Sequence, residues 1–315
     1  MVKKKVVVLG GGIVGLSTAY YLIQEGHEVT IIDKGRLDSG ASHVNAGYLT
    51  PSHIVPMAAP GMISKGMNWM FNAKSPFYIK PRFDLDLIRW GLKFIKSCTN
   101  KHVQSSMKSI LDINLLSKKL YLEMLKSESF DFHLETKGLL MAYKTSHAEK
   151  EESEISKWAK DLGIKVEQFS KEQVLKIQPD IPMDIAGAFW YKSDAHSTPE
   201  LFINNLKDYL IKKGVGFKLE NTVKYFQKND KQIQKVVTDK GIFEADEFVL
   251  STGAWSQQIL NDLGIKLLIQ PGKGYRINVY KSTGITIPAI LLESKVAVTP
   301  MAVSYTHLTL PTIRL

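Results

Sequence analysis

The chain has 315 residues, of which 44% are apolar, and a formal net charge of +10. This length and composition predict one large or two ordinary globular domains with hydrophobic cores. The single cysteine, Cys98, excludes an internal disulfide and a cysteine-ligated metal cluster, and no metal site is predicted. The lysines are dispersed without clustered arginines and aromatic residues, which argues against nucleic-acid recognition. No apolar stretch reaches the roughly 18 residues that span a bilayer, and we expect a cytoplasmic protein.

The N-terminus reads as a β-branched strand, a glycine-rich turn and a helix. The turn has the spacing Gly10-x-Gly12-x-x-Gly15. These glycines permit a tight turn, approach of a pyrophosphate to the backbone and close packing of the helix on the strand. A second strand at residues 28–32 ends in Asp33, which stands 33 − 15 = 18 positions after the last glycine, where a ribose-binding carboxylate belongs. The sequence therefore predicts a dinucleotide site.

The segment after Asp33 favours a flavin over a nicotinamide cofactor. Residues 39–48 read SGASHVNAGY, which is too small, polar and irregular for a strand or a helix. Such a segment suits a chain lying along an extended ligand, whereas a nicotinamide enzyme normally continues with another strand and helix. A nicotinamide-dependent dehydrogenase stays the alternative, and it predicts a protein without a visible chromophore.

Further along the chain, residues 51–81 form a long irregular segment with five prolines and many methionine and aromatic residues. Two helices follow at 85–95 and 106–126, because apolar residues recur there at helical spacing. We predict that both apolar stripes belong to the core, namely Leu85, Ile88, Leu92, Ile95, Ile110, Ile113, Leu116, Leu120 and Leu125.

The second half of the chain alternates strand and helix patterns. The predicted strands are at 138–143, 185–191, 215–219, 236–238 and 248–253 and around Lys273-Gly274-Tyr275, and the predicted helices are at 147–162 and 201–213. A chain that leaves and re-enters its nucleotide-binding part in this order predicts two interleaved, discontinuous domains.

Four features together resemble the FAD-dependent amine oxidoreductases of the D-amino-acid oxidase superfamily, and most closely the D-amino-acid dehydrogenase family. They are the GGGIVGLSTAYYL opening, the acid-ended second strand, the GAS-x-x-NAG run and the later STGAWS. The resemblance implies an α/β fold, α+β overall, with a Rossmann-like FAD-binding domain interleaved with an antiparallel-sheet substrate domain. The FAD-binding domain would comprise 1–84 and 199–264, and the substrate domain 85–198 and 265–301.

The resemblance also places a set of residues at the FAD. Gly10, Gly12 and Gly15 would lie at the diphosphate with Ile13 and Val14 between them, Asp33 at the adenosine ribose with Lys34 beside it, Ser42, Asn45, Ala46 and Gly47 along the isoalloxazine, Val223 at the adenine, and Thr252 and Gly253 at the strand end that closes over the cofactor. A core valine is the simpler interpretation of Val223, and a backbone contact is compatible with both.

The activity that the resemblance implies is oxidative deamination of a D-amino acid. Hydride passes from Cα to flavin N5, and the resulting imino acid hydrolyses to a 2-oxo acid and ammonia. A cyclic imino acid of the D-proline or hydroxyproline type is an alternative substrate, and a glycine or sarcosine oxidase is an alternative of the same class. An inactive flavin-binding fragment is an alternative of another class. The electron acceptor is either oxygen or a quinone of the respiratory chain.

The catalytic candidates are Tyr275, Arg276 and His53. A substrate carboxylate is commonly held by an arginine and a phenol, and Tyr275 with Arg276 is the best available pair in this chain. Neighbours on a strand alternate faces, so only one of them faces the flavin, and the resemblance favours Tyr275. A surface charge is the simpler interpretation of Arg276. His53 follows the flavin-side segment, and a hydrogen-bonded loop histidine is its alternative role.

Two further expectations concern the surface and the end of the chain. The segment Met57–Tyr78 carries lysines among apolar residues, which suggests peripheral seating on an anionic membrane, with core lining as the alternative. Residues 302–315 do not resemble the family, and we interpret them as a foreign tail on a truncated copy without the last part of the FAD domain. We expect residues 1–315 alone to be poorly soluble, to bind FAD weakly and not to turn over D-alanine.

Overall fold

The computed structural model describes residues 2–62, 82–128, 130–229 and 232–302, and the backbone of a strand at Tyr305–Thr309. The chain divides into two compact units. Unit 1 comprises Met1–Val44 and Pro199–Gln270, and unit 2 comprises Asn45–Thr198 and Pro271–Leu315. The first boundary therefore follows residue 44, whereas the sequence-based division placed it after residue 84. The assignment of these units to cofactor and substrate stays a prediction.

The helices differ widely in length, from 6 to 28 residues. The α-helices of the described residues are α1 (Ile13–Gln24), α2 (Leu85–Ser97), α3 (Asn100–Ser127), α4 (Ser146–Asp161), α5 (Lys171–Ile177), α6 (Pro199–Lys212) and α7 (Ser256–Asn261). In the part of the chain that the structure describes, no helix combines the length and the apolar character needed to cross a bilayer.

The strands are short and numerous. They are β1 (Lys5–Leu9), β2 (Glu28–Ile32), β3 (Tyr48–Leu49), β4 (Leu139–Tyr143), β5 (Val166–Ser170), β6 (Gly187–Tyr191), β7 (Ala195–His196), β8 (Gly216–Lys218), β9 (Val223–Asn229), β10 (Gln232–Thr238), β11 (Ile242–Glu244), β12 (Glu247–Leu250), β13 (Tyr275–Val279), β14 (Ala289–Leu291), β15 (Val296–Pro300) and β16 (Tyr305–Thr309).

Unit 1 is built on a parallel sheet of order β12-β1-β2-β8. The last four residues of β1 are buried, as expected for a parallel strand that is covered on both faces. The antiparallel ribbon β9, β10 and β11 packs beside this sheet, where Phe226 and Val236 join Leu9 and Ile32 in one apolar core. This arrangement is the Rossmann-like part of the predicted fold.

Unit 2 is built on a seven-stranded sheet of order β13-β16-β15-β14-β4-β6-β5. Its strand pairs are antiparallel except for β14 and β4, which run parallel, so the predicted antiparallel sheet is in detail a mixed one. Leu111 of α3 and Ala159 of α4 pack with Tyr143 and Phe189 of the sheet in one buried cluster. A second, two-stranded sheet joins β3 to β7.

The prediction that the two apolar stripes belong to the core is wrong for six of their nine residues. Leu85, Ile88, Leu92, Ile95, Ile113 and Leu116 are all exposed. Helix α2 has no buried residue, and the buried residues of α3 are Val103, Leu111 and Met124 instead. Both helices carry apolar residues on more than one face, and periodicity alone does not decide which of the faces packs. Most of the segment 51–81 lies outside the described residues.

Candidate functional site

The turn between β1 and α1 admits only glycine at two of its positions. Gly10 has a φ of +99°, and a Cβ there would lie 2.5 Å from the Ser251 carbonyl oxygen. A Cβ at Gly15 would lie 1.8 Å from the carbonyl oxygen of Gly10. Contacts this short with backbone exclude any side chain, so the helix packs as closely on the strand as the glycine spacing predicts.

The third glycine of the motif, Gly12, is less crowded than Gly10 and Gly15. Among the described residues, a Cβ at Gly12 would meet Ser42 Oγ, at a tight 3.0 Å, and no backbone atom within 4 Å. The first backbone bond of α1 runs from Leu16 N to Gly12 O at 2.9 Å, so the N–H groups of the preceding turn have no helical acceptor. Ser42 Oγ accepts one of them, that of Ile13, at 2.9 Å. Backbone donors at an open helix N-terminus, with exposed Val14 beside them, fit a diphosphate.

Asp33 holds the glycine turn from the end of β2. Its Oδ2 accepts a hydrogen bond from Gly11 N at 2.7 Å, and its Oδ1 accepts one from Gly35 N at 2.7 Å. A carboxylate offers about four acceptor sites. Two sites are therefore left for the hydroxyl groups of a ribose, while the first two fix the turn.

The segment that contains Val223 lies next to this acid. Asn221 N donates a hydrogen bond to the Asp33 carbonyl oxygen at 2.9 Å, and Asn221 is buried. The side-chain oxygen Oδ1 of Asn221 is buried without a hydrogen-bond partner, which is unusual for a buried amide. A donor on a nucleoside would satisfy this oxygen, so the residues present fit the adenosine half of FAD. The backbone contact of Val223 with adenine stays a prediction.

The strand end at β12 is joined to the same turn. Ser251 Oγ donates to the Gly10 carbonyl oxygen at 2.8 Å, and Thr252 Oγ1 lies 3.1 Å from Ser256 Oγ. Gly253 is exposed and begins a single 3-10 turn. The structure thus brings Thr252 and Gly253 to the carboxyl edge of the parallel sheet, the edge that carries the glycine turn and Asp33.

Lys34 has a partner that the sequence did not indicate. Its Nζ lies 3.3 Å from the ring centroid of Trp255, a cation–π contact. Trp255 stands in the STGAWS run, but nothing in the spacing links it to the acid-ended strand more than two hundred positions earlier. The contact places a positive charge over an indole beside Asp33.

In unit 2, residues 45–47 of the segment predicted to lie along the isoalloxazine are held by hydrogen bonds that include the following three. Asn45 Oδ1 accepts from Gly47 N at 2.8 Å, which closes a local turn. The buried hydroxyl of Thr299 donates to the Ala46 carbonyl oxygen at 2.9 Å, and Ser197 N donates to the Gly47 carbonyl oxygen at 2.8 Å. The segment is therefore a fixed backbone, and its contact with flavin stays a prediction.

The three catalytic candidates occupy two different places in unit 2. Tyr275 is exposed and Arg276 is half-buried on β13, and their side chains alternate faces as expected. His53 is exposed in the loop after β3, where its Nδ1 lies 3.1 Å from Ser52 Oγ. In the part of the chain that the structure describes, no hydrogen bond or ion pair joins His53 to Tyr275. Their roles stay predictions.

Sequence reasoning missed a buried carboxyl group next to His53. Asp194 is fully buried and accepts hydrogen bonds from Ser52 N at 3.0 Å and from Ser52 Oγ at 2.5 Å. Burial raises the pKa of Asp194 to about 7, against the opposing effects of these hydrogen bonds and of the Lys118 ammonium. Residues 52 and 194 are 142 positions apart, so no local pattern indicates this link.

A second cluster surrounds His196 in β7, and no sequence pattern indicated its neighbours Glu135 and His133. The His196 side chain is fully buried, and among the residues that the structure describes neither ring nitrogen has a hydrogen-bond partner. Its Nε2 lies 3.6 Å from Glu135 Oε2, while His133 Nε2 lies 3.5 Å from Glu135 Oε1 and Lys137 Nζ lies 2.8 Å from Glu135 Oε2. Burial lowers the pKa of His196 to about 4, although the Glu135 carboxylate opposes that shift.

The glycine turn, the acid at the end of β2 and the parallel sheet define a dinucleotide-binding oxidoreductase fold. A family model described as FAD dependent oxidoreductase matches residues 5–310, and the chain belongs to this family. FAD is therefore its cofactor, and a nicotinamide-dependent dehydrogenase is excluded. The match includes residues 302–310, so the interpretation of residues 302–315 as a foreign tail stays a prediction.

Individual proteins of known name are similar to this chain in sequence or in fold. A D-amino acid dehydrogenase of Neisseria meningitidis serogroup C is 32% identical over 303 residues, which cover 94% of this chain and 72% of the relative. A D-amino acid dehydrogenase of Vibrio cholerae is 29% identical over 285 residues, covering 87% and 66%. The solved structure of a Bacillus cereus glycine oxidase superposes with a TM-score of 0.70 at 18% identity, covering 99% of this chain and 73% of that one. At this identity, the superposition shows the shared fold alone.

Proposed function

We propose that this protein oxidises D-amino acids to imino acids, which water then converts to 2-oxo acids and ammonia. The observation that carries the proposal is the 32% identity with a D-amino acid dehydrogenase along 94% of the chain. The glycine turn at residues 10–15 supports it, since the backbone N–H groups at the start of α1 suit the diphosphate of the cofactor. Bound FAD supplies the hydride acceptor for oxidation of the Cα–H bond.

The chain's own part at the cofactor is to hold and orient it. The backbone N–H groups of the first turn of α1 would donate to the diphosphate, and the helix dipole would favour its negative charge. The Asp33 carboxylate fixes Gly11 and Gly35 and would accept from the ribose with its remaining lone pairs. Ser42 accepts the Ile13 N–H and so fixes the start of α1 before the ligand arrives.

The chain's part at the substrate is to hold the carboxylate and the face of Cα. The phenol of Tyr275 is exposed on β13, and we propose that it donates to the substrate carboxylate. Arg276 lies on the opposite face of the strand and is the weaker candidate for this role. His53 is proposed to line the site. A substrate amine that arrives neutral needs no base, so none of these residues is assigned proton abstraction.

A substrate panel at saturating FAD tests the proposal. D-alanine, L-alanine, D-proline, glycine and sarcosine are compared by reduction of a soluble dye, with 2-oxo acid and ammonia measured in parallel. From a flavin-saturated protein we expect equal amounts of both products with D-alanine and none with L-alanine. The same assay on residues 1–315 without added FAD tests the separate expectation that this chain alone does not turn over D-alanine. If only D-proline is oxidised, the substrate class is a cyclic imino acid. If only glycine or sarcosine is oxidised, the protein is of the glycine or sarcosine oxidase type. If the flavin-saturated protein oxidises none of these substrates, the result would support the alternative that the chain is an inactive flavin-binding fragment.

The cofactor assignment has its own test, which is independent of turnover. Gly12→Val places a β-branched side chain at the start of α1, whereas Gly12→Ala adds only a Cβ that lies 3.0 Å from Ser42 Oγ. We expect Gly12→Val to abolish FAD binding and Gly12→Ala to weaken it, with circular dichroism spectra unchanged in both variants. A Gly12→Val protein that purifies with a normal flavin spectrum would refute the diphosphate assignment.

The electron acceptor is proposed to be a quinone rather than oxygen. The support is that relatives at about 30% identity are named dehydrogenases, while the named oxidase is 18% identical. Oxygen consumption with D-alanine is compared with reduction of a soluble quinone analogue. Oxygen uptake that equals product formation would make the protein an oxidase. The segment Met57–Tyr78, for which we predicted a membrane contact, lies for the most part outside the described residues.

A further inference from the structure

In unit 2, a chain of hydrogen bonds runs from a buried carboxyl group to an exposed histidine. Asp194 is fully buried, and its Oδ2 lies 2.5 Å from Ser52 Oγ, which lies 3.1 Å from His53 Nδ1. Asp194 Oδ1 accepts the Ser52 backbone N–H at 3.0 Å, so both carboxyl oxygens are held against Ser52. Ser52 is buried as well, whereas His53 is exposed. The Ser52 hydroxyl therefore bridges the carboxyl group and the imidazole.

The Ser52 hydroxyl has one proton, so it cannot donate to both of its neighbours at once. With Asp194 ionised, the hydroxyl donates to Oδ2 and accepts from Nδ1–H of His53, which leaves Nε2 without a proton. With Asp194 protonated, Oδ2 donates to Ser52 Oγ and the hydroxyl donates to Nδ1, so the ring proton is on Nε2. The two states of Asp194 thus correspond to the two neutral tautomers of His53.

The groups that face Asp194 from neighbouring elements act on it in opposite senses. The Lys118 ammonium of α3, whose Nζ donates to the Ser193 carbonyl oxygen at 2.6 Å, favours the carboxylate. Tyr191 of β6 donates its hydroxyl to Glu152 of α4 at 2.6 Å, and burial raises the pKa of that second carboxyl group. Burial of Asp194 outweighs the ammonium and raises the pKa of Asp194 to about 7, so both of its states are populated near neutral pH.

The imidazole gives the buried carboxyl group a route to solvent. His53 is neutral in this pH range, because desolvation by the surrounding chain lowers the pKa of His53 to about 4, although part of the residue is exposed. When Asp194 ionises, its proton passes to Ser52, the Ser52 proton passes to Nδ1 of His53, and the Nε2 proton leaves to solvent. One proton is lost in total, and the ring stays neutral.

We propose that Asp194 is a positioning residue that sets, through Ser52, which ring nitrogen of His53 carries the proton. With Asp194 ionised, Nε2 offers a lone pair that accepts from the ammonium group of an amino acid. With Asp194 protonated, Nε2 offers an N–H, which cannot pair with an ammonium group. The use of this tautomer switch rests on the proposed function, since it requires an amino-acid substrate next to His53, whereas the switch itself does not.

Ring ¹⁵N NMR of the histidine-labelled protein at saturating FAD tests the tautomer switch without turnover. The His53 signals are identified by their loss in His53→Gln. We expect the proton to move from Nε2 to Nδ1 as the pH rises from about 6 to 8. Asp194→Asn should keep the proton on Nε2 throughout, because its amide donates to Ser52 Oγ while its oxygen still accepts the Ser52 N–H. Ser52→Ala should remove the pH dependence.

Unit 2 offers a matched control for each of these two variants. Glu152→Gln neutralises another buried carboxyl group, which is bonded to Tyr191 instead of Ser52. Ser193→Ala removes another hydroxyl group near the carboxyl group, since Ser193 Oγ lies 3.5 Å from Asp194 Oδ1. Both controls should keep the tautomer switch of the unchanged protein, and circular dichroism should show the same fold in all four variants.

The KM for D-alanine at pH 8 tests the use of the tautomer switch. Asp194→Asn should raise this KM about tenfold, because a hydrogen bond to the charged ammonium group is lost, and should change kcat less. At pH 6 the unchanged protein should approach the KM of Asp194→Asn, since Asp194 is then protonated. Glu152→Gln should leave the KM unchanged at pH 8.

The results distinguish failure of this proposal from failure of the proposed function. A His53 tautomer that stays the same from pH 6 to 8 would overturn the proposal, whatever the turnover. A tautomer change that persists in Ser52→Ala or Asp194→Asn would overturn it as well. An unchanged KM in Asp194→Asn would overturn the contact of His53 with the substrate. A tautomer switch in a protein that oxidises no amino acid would support the role of Asp194 and refute the proposed function.

Discussion

Units 1 and 2 differ in how their candidate functional groups are held. In unit 1, the side chains around the glycine turn bind backbone atoms, as Asp33, Ser42 and Ser251 all do. In unit 2, His196 is buried without a hydrogen-bond partner among the described residues, and Tyr275 is exposed. The difference teaches that hydrogen bonds to the backbone orient the side chains at the cofactor end, whereas burial sets the state of the His196 imidazole in unit 2.

The largest effect that this comparison predicts is for Gly15→Ala. The added Cβ would lie 1.8 Å from the Gly10 carbonyl oxygen and 2.7 Å from Ser251 Oγ. We expect loss of FAD binding and a decrease of more than about 3 kcal/mol in the free energy of unfolding. Urea denaturation and flavin titration measure both quantities.

Gly91→Ala is the matched control for this change. Gly91 is also helical, and a Cβ there would meet no atom of the described residues within 4 Å. Alanine at this position should stabilise the protein by about 0.5–1 kcal/mol through helix propensity. Equal effects of the two substitutions would show that the glycine turn is not a rigid element.

The second prediction concerns His196 and its burial in unit 2. Burial holds the pKa of His196 at about 4, whereas an unfolded histidine titrates near 6.5. Between these values the unfolded chain binds a proton that the folded protein does not. His196 therefore makes the protein less stable as the pH falls from about 6.5 to 4, by up to about 3 kcal/mol. Above pH 6.5 it contributes no pH dependence.

Urea denaturation of the unchanged protein and of His196→Gln at several pH values measures this contribution. Asp194 titrates in the opposite sense, because its raised pKa of about 7 removes stability as the pH rises from about 4 to 7. The difference between the two proteins isolates His196, since Asp194 is common to both. Two parallel pH profiles would contradict the burial of a neutral imidazole.

The third prediction concerns the carboxylate that holds the turn. Asp33→Asn replaces one of two acceptor oxygens by an amide donor, which faces the N–H of Gly11 or Gly35. We expect the free energy of unfolding to decrease by about 2 kcal/mol, with weaker FAD binding. Asp239→Asn is the control, because Asp239 also accepts a backbone N–H, that of Thr222, at the surface. A loss no larger than that of the control would refute the role of Asp33.

The smallest effect is expected for Ser42→Ala. The substitution removes the acceptor of the Ile13 N–H and leaves that donor to the solvent or to the cofactor. We expect a loss of about 1 kcal/mol in the free energy of unfolding without FAD. Ser105→Ala on exposed α3 should change it by less than about 0.5 kcal/mol. Saturating FAD should reduce the difference in the free energy of unfolding between Ser42→Ala and Ser105→Ala if the diphosphate binds at the Ile13 N–H, which Ser42 orients.

The sequence predicted much of the local structure of unit 1. For unit 2 it predicted mainly the positions of helices and strands and not how they pack. The strand, turn and helix at the N-terminus and the acid at position 33 lie where the sequence placed them. The helix predicted at 106–126 begins earlier, at Asn100, because Thr99 Oγ1 accepts the His102 N–H and caps it. The apolar stripe of α2 was assigned to the core and is exposed, since periodicity identifies an apolar face but not its partner.

The sequence by itself determined the cofactor end of this protein. The glycine spacing and the acid of β2 act within about 25 residues, and backbone geometry over such a distance follows from residue type. Only the tertiary structure decided the link between Ser52 and Asp194, the burial of His196 and the division of the chain after residue 44. These features join residues that are far apart in the chain, so they depend on which surfaces pack together, and packing leaves no local pattern in the sequence.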